Sequence, residues 1–123
     1  MTFSTVGVVG AGAMGSGIIE VLAKAGCSVV ARDIDAAAVE AGQGRVEGSL
    51  DKAVERGKLE GEARDAAVAA ISWTTDLADL GDCELVIEAA PEIRDLKLAI
   101  FAELDAVMGD DAVLATNTSS IPI

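Results

Sequence analysis

Histidine is absent from the 123 residues. Imidazole is the side chain most often used for proton transfer near neutral pH. Its absence excludes histidine-dependent triads and histidine-ligated metal centres within this chain. Cysteine is scarce, and Cys27 and Cys83 lie too far apart for a C-x-x-C metal or redox pair. They read as buried thiols of a reducing compartment, which points to the cytoplasm. Positive charge is scarce as well: nine Lys and Arg face 21 Asp and Glu, giving a net charge of −12. A nucleic-acid footprint needs a basic stripe and an anionic membrane repels such a balance, so neither partner is expected. No run of about 20 apolar residues is free of dense glycine, which argues against a membrane span. Residues 1–19 carry no charge, and Ala11-Gly12-Ala13 resembles a signal-peptide cleavage site. There is no basic segment before it, and Gly7, Gly10 and Gly12 interrupt the apolar run, so secretion is not expected.

What is present is globular. Apolar residues make up 51% of the chain, enough for one core in one domain. No repeat, low-complexity tract or Pro- or Ser-rich linker divides it. Short apolar runs alternate with helical patterns. Thr5–Val9 reads as a strand, and Gly15–Ala25 as a helix with Ile18, Val21 or Leu22, and Ala25 on its apolar face. Ser28–Arg32 is a second strand. Asp35 is placed to cap a long helix reaching Arg56, with Val39, Val46, Leu50 and Val54 inward. Gly42, Gly44 and Gly48 weaken its first half, at about 1 kcal/mol each against alanine. A short helix at Glu62–Ala70 and strands at Ile71–Thr75 and Glu84–Ala89 follow. Pro91 opens a helix to Met108, and Ala112–Ala115 is the last strand. Strand–helix alternation with continuously apolar strands predicts an α/β Rossmann-type, doubly wound, mainly parallel sheet of order 3-2-1-4-5.

Gly10-Ala11-Gly12-Ala13-Met14-Gly15 is a G-x-G-x-x-G placed directly after a strand and at the start of a helix. In that context Gly10 permits a tight turn, Gly12 admits a pyrophosphate, and Gly15 lets helix and strand pack. Ala13 and Met14 belong to the same cofactor-binding turn. The loop has no lysine, which excludes a Walker A loop. Asp33, at the end of the second strand and 21 residues after Gly12, can accept both hydroxyls of an adenosine ribose and repel a 2′-phosphate. That predicts NAD. Arg32 beside it leaves NADP open, since a nearby arginine can accommodate the extra phosphate.

The segments V-G-V-V-G-A-G-A-M-G-S-G-I, S-L-D-K-A-V-E-R-G-K-L, T-T-D-L, L-V-I-E-A-A-P-E and L-A-T-N-T-S-S run in that order through the chain. Together they resemble the N-terminal part of the L-3-hydroxyacyl-CoA dehydrogenase family, most closely its bacterial 3-hydroxybutyryl-CoA members. The resemblance implies an NAD-dependent oxidoreductase of fatty-acid metabolism (β-oxidation chemistry). Its members oxidise the C3 hydroxyl of an L-3-hydroxyacyl-CoA to the 3-ketoacyl-CoA and are homodimeric. It implies cofactor contacts at Gly10, Gly12, Gly15, Asp33, Ala90, Glu92, Lys97 and Asn117. It places coenzyme A on Ser49 and Arg56, the latter standing where the family has lysine. Ser119 then falls near the substrate carbonyl and the nicotinamide.

Ser49, Lys52 and Arg56 share one helix face, inside the stretch Arg45–Arg64 that holds five of the nine basic residues. An acyl-CoA anion needs such a patch on an acidic protein. Glu47, Asp51 and Glu55 are interleaved there, so a salt-bridged exposed helix is an equal reading. The family's general base is a histidine oriented by a glutamate, both beyond Ile123. Residues 1–123 are therefore expected to be an incomplete NAD-binding domain that does not turn over substrate alone, with a helical substrate and dimerisation domain to follow. Two alternatives stand beside this: a non-catalytic dinucleotide-binding module, and a related β-hydroxyacid dehydrogenase acting on a substrate without coenzyme A. No metal site is expected.

Overall fold

The structure, a computed structural model, describes residues 4–89 and the backbone of 113–116. The chain runs β1 (Thr5–Val9), α1 (Ala13–Lys24), β2 (Ser28–Arg32), α2 (Ala36–Glu55), α3 (Gly61–Ala69), β3 (Ile71–Thr74), a 3-10 turn (Leu77–Leu80), β4 (Leu85–Glu88) and β5 (Val113–Thr116). The strands form one sheet of order β3-β2-β1-β4-β5. All four pairings are parallel, as expected. The helix expected at Pro91–Met108 lies outside the described residues.

The central strand β1 is apolar at successive positions because both of its faces are covered. Val6 and Val8 join Val29, Ala31 and Ile71 in a core closed by Ile19 and Ala23 of α1, Val46 and Leu50 of α2, and Ala67 of α3. Val9 and Val86 join Leu77, Leu80 and Cys83 in a second cluster. Gly7 is packed closely here: a Cβ would stand 2.9 Å from Leu80 Cδ2 and 3.2 Å from Cys83 Sγ, so those side chains would have to shift. Burial, and secondarily the charge of Asp82, pushes the Cys83 thiol up from its ordinary pKa. It stays protonated and inert, as does a packing thiol. The β4 run is less apolar than its neighbours suggest, since Glu88 is fully buried at its end.

Helix α1 differs from the sequence reading. It begins at Ala13, and its buried line is Gly15, Ser16, Ile19 and Ala23. Val21 is 62% exposed, Ala25 is an exposed C-cap, and Ile18 and Leu22 are only partly covered. The cause is Gly15, whose absent Cβ would lie 1.8 Å from the Gly10 carbonyl oxygen. That contact sets the helix's rotation, and it overrides the apolar stripe. Helix α2 keeps its expected start, with Asp35 Oδ1 accepting the Ala38 N–H at 2.8 Å. Val46 and Leu50 are buried as expected, while Val39 and Val54 are half-buried. Gly57, at φ +70°, turns the chain out of it. No helix among the described residues is long and apolar enough to cross a membrane.

Candidate functional site

The parallel register brings Val9, Arg32, Thr74, Glu88 and Thr116 to one edge of the sheet. The loops after β1, β2 and β4 therefore emerge together. Chain order reverses between β1 and β4, which opens a crevice above their carboxyl ends. A cavity of about 390 Å³ sits at this edge. Its floor is the glycine loop, with Gly10, Gly12, Ala13 and Met14. Asp33 closes one side, Ala89 after β4 the other. Ala38, Ala41 and Arg45 of α2 form the outer wall, at helical spacings of 3 and 4.

The three motif glycines are there for separable reasons. Gly10 has φ +101°, a left-handed conformation that side chains resist. Its N–H donates to the Arg32 carbonyl at 2.7 Å, which fastens the turn to β2. Gly15 is needed for contact, as described above. Gly12 needs neither freedom: its φ is −69°, and an added Cβ would meet no atom of the described residues within 4 Å. Nothing among the described residues asks for glycine at Gly12, which lines the cavity and forms the N-cap of α1. The remaining reason is a ligand that approaches the backbone closely. Among the described residues no side chain caps α1, and its first turn holds no acid, so this end of the helix suits an anion.

Ala11, between the first two glycines, is held from three sides. Its N–H donates to Asp33 Oδ2 at 2.9 Å. Its carbonyl accepts from Arg45 Nη1 at 2.9 Å. Gly42 lies against it so closely that a Cβ there would be 2.4 Å from the Ala11 Cβ. Asp33 thus does more than face a ribose. Its second oxygen accepts the Ile34 N–H at 2.7 Å, and each oxygen keeps lone-pair capacity for a sugar hydroxyl. Arg32, the residue that left NADP open, is turned away: its Nε donates to the Thr75 carbonyl at 3.1 Å, and it does not line the cavity.

The basic face of α2 is placed but not joined to this cavity. Ser49, Lys52 and Arg56 are all exposed, with Arg56 as the C-cap. Two of the interleaved acids are engaged elsewhere. Asp51 pairs with Arg64 at 2.9 Å, and Glu47 accepts from Gln43 at 2.9 Å. Among the described residues neither Lys52 nor Arg56 has a carboxylate within 4 Å. Ala90, Glu92, Lys97, Asn117 and Ser119 lie outside the described residues. No cluster of metal-ligating side chains occurs among the described residues. Sequence reasoning overlooked Ala38, Ala41, Arg45 and Ala89 as cavity walls, and read Gly42 only as a weakness. The signal for α2 was the 3-and-4 spacing of positions 38, 41 and 45 after the Asp35 cap.

A glycine loop at the carboxyl edge of a parallel 3-2-1-4-5 sheet, with an acid after β2, defines a Rossmann-type dinucleotide-binding domain. Residues 5–123 match the family model described as 3-hydroxyacyl-CoA dehydrogenase, NAD binding domain. The chain belongs to the 3-hydroxyacyl-CoA dehydrogenase family, as its NAD-binding domain. It is 55% identical over 119 residues to 3-hydroxybutyryl-CoA dehydrogenase of Mycobacterium tuberculosis, covering 96% of this chain and 42% of that protein. Among solved structures, M. tuberculosis FadB2 superposes with a TM-score of 0.96 at 52% identity, covering all of this chain and 44% of that one. The (S)-3-hydroxybutyryl-CoA dehydrogenase PaaH1 of Ralstonia eutropha gives 0.94 at 43% identity, covering 99% and 43%. The chain thus spans about two fifths of the length of these relatives.

Proposed function

We propose that the chain is the cofactor-binding part of an NAD-dependent 3-hydroxyacyl-CoA dehydrogenase acting on short substrates such as 3-hydroxybutyryl-CoA. The observation that carries this is Gly12, a cavity-lining glycine that no contact or backbone angle among the described residues requires. The kinship to enzymes named for that substrate supplies the reaction class. When bound, NAD supplies the hydride acceptor for C3. The chain's own residues do the holding. The amide end of α1 faces the pyrophosphate, and Asp33 takes the adenosine ribose and disfavours a 2′-phosphate. The unpaired face of Ser49, Lys52 and Arg56 takes the phosphates of coenzyme A. Ala90, Glu92, Lys97 and Asn117 complete the cofactor contacts. The Ser119 hydroxyl donates a hydrogen bond to the C3 oxygen, steadying the charge that develops there. In the whole protein the general base is a histidine with its orienting glutamate, neither of them within residues 1–123, and a separate helical domain forms a homodimer. Two buried cysteines that form no disulfide support a reducing, cytoplasmic setting.

Absorbance at 340 nm tests this with acetoacetyl-CoA and NADH or NADPH, on this chain and on a form extended to the length of its relatives. Rapid NADH loss with the extended form alone is expected. Losing a general base costs about 10²- to 10⁴-fold in rate. Loss of NADH with neither form, despite NADH binding, would instead leave a non-catalytic module, the reading that the missing histidine also fits. In the extended form, Arg56→Glu is expected to raise KM for acyl-CoA about tenfold with kcat little changed. An unchanged KM removes coenzyme A from this face and favours a substrate without it.

A further inference from the structure

The cofactor cavity is short of positive charge. Its glycine loop contributes amide dipoles but no lysine or arginine, and Asp33 adds a negative charge. A dinucleotide pyrophosphate brings two more. Arg45 is the one cation among the described residues lining the cavity. Among the described residues no carboxylate lies within 4 Å of it, in a chain with 21 acids to nine bases. Its guanidinium is also fixed in place, because Nη1 is bonded to the Ala11 carbonyl at the rim of the loop. An arginine has five N–H donors, and only one is used there. Ala38 and Ala41, on the same stripe of α2, are too short to stand between it and a ligand on the loop.

We propose that Arg45 is a phosphate-binding residue of the cofactor site: it offsets the charge of Asp33, donates to the pyrophosphate, and holds the Ala11 carbonyl with the same guanidinium. This rests on the NAD reading of the cavity and extends it to a side chain on α2. The arrangement lets a strongly acidic domain attract a dianionic ligand without a lysine in the loop. Charge-assisted hydrogen bonds to phosphate are the stronger kind, so the contribution is readable in affinity.

The test is NADH binding by the full chain at low and high salt, with adenosine as a probe lacking the pyrophosphate. Arg45→Gln keeps an N–H for the Ala11 carbonyl and removes the charge, and Arg45→Lys keeps the charge. Thermal melts of both variants verify that they fold. Arg45→Gln is expected to weaken NADH binding about tenfold at low salt, with the gap narrowing at high salt as screening grows. Adenosine binding stays level, and Arg45→Lys recovers most of the loss. Equal losses for NADH and adenosine would mean that Arg45 only holds the loop. Unchanged NADH affinity and salt dependence would remove it from the site, as would a loss confined to NADPH. Failure of the unaltered chain to bind NADH at all would overturn the NAD reading itself.

Discussion

Asp33 is bonded to the loop that it is expected to serve. One carboxylate oxygen accepts the Ala11 N–H and the other the Ile34 N–H, so the residue positions the turn while facing the ribose. Asp33→Ala removes both roles. It is expected to raise the NADH dissociation constant about tenfold and to narrow the preference over NADPH, because the repulsion of a 2′-phosphate goes with the charge. Parallel titrations with the two cofactors measure this. Gly15→Ala acts on the fold instead. Its methyl would have to displace the Gly10 carbonyl, and a loss of about 3 kcal/mol in denaturant unfolding is expected. Much at this scale was legible in the sequence. The motif, its place between strand and helix, and Asp33 were all readable from spacing. Arg45 was not, since nothing local distinguishes an arginine that reaches a loop 34 residues earlier from its exposed neighbours on α2.

The strands were legible to within a residue or so at each end because β1, β2 and β4 carry runs of three or more apolar residues, a signal that needs no partner to be read. The helices were less so. The α1 stripe was misjudged because a backbone contact at Gly15, invisible in the pattern, decides which way the helix turns. Helix α2 shows the same limit more sharply. Its three glycines look alike in sequence, yet Gly42 is pressed against Ala11 while Gly44 and Gly48 have nothing among the described residues within 4 Å of an added Cβ. Replacing Gly44 or Gly48 by alanine is expected to stabilise the domain by up to about 1 kcal/mol each, the helix-propensity gain alone. Gly42→Ala is expected to destabilise it and to weaken NADH binding, since the methyl pushes on the cofactor loop. Equilibrium unfolding of the three variants separates them, and a stabilised Gly42→Ala would contradict the packing of α2 on the loop.

For the whole molecule the excess of acid sets the response to pH. Glu84 ties the start of β1 to the start of β4. It accepts the Ser4 N–H at 2.8 Å, the Ser4 hydroxyl at 2.6 Å and the Thr5 N–H at 3.2 Å. The Ser4 hydroxyl, then the Ser4 and Thr5 amides, hold its carboxyl below the usual carboxylate range. A depressed carboxylate contributes stability that is present above its unfolded pKa and is lost as pH falls through the folded value. Glu84→Gln is therefore expected to melt below the unaltered chain at pH 7, with the two converging in acid. A difference that persists below the folded pKa would show that the charge is not what ties the strands.

The account rests on Gly12 being glycine for a ligand's sake. Serine is a better helix N-cap than glycine by a few tenths of a kcal/mol, about the best exchange the fold can be offered there. It would also fill the space that the pyrophosphate needs and compete for the same amide groups. NADH titration of the unaltered chain and of Gly12→Ser, each with a thermal melt, is the most direct test. The expected result is NADH binding by the unaltered chain, and in the variant a loss of about tenfold or more with a melting temperature that is equal or higher. Equal NADH affinity in both proteins, or no binding by the unaltered chain, would contradict the assignment of this cavity to a dinucleotide.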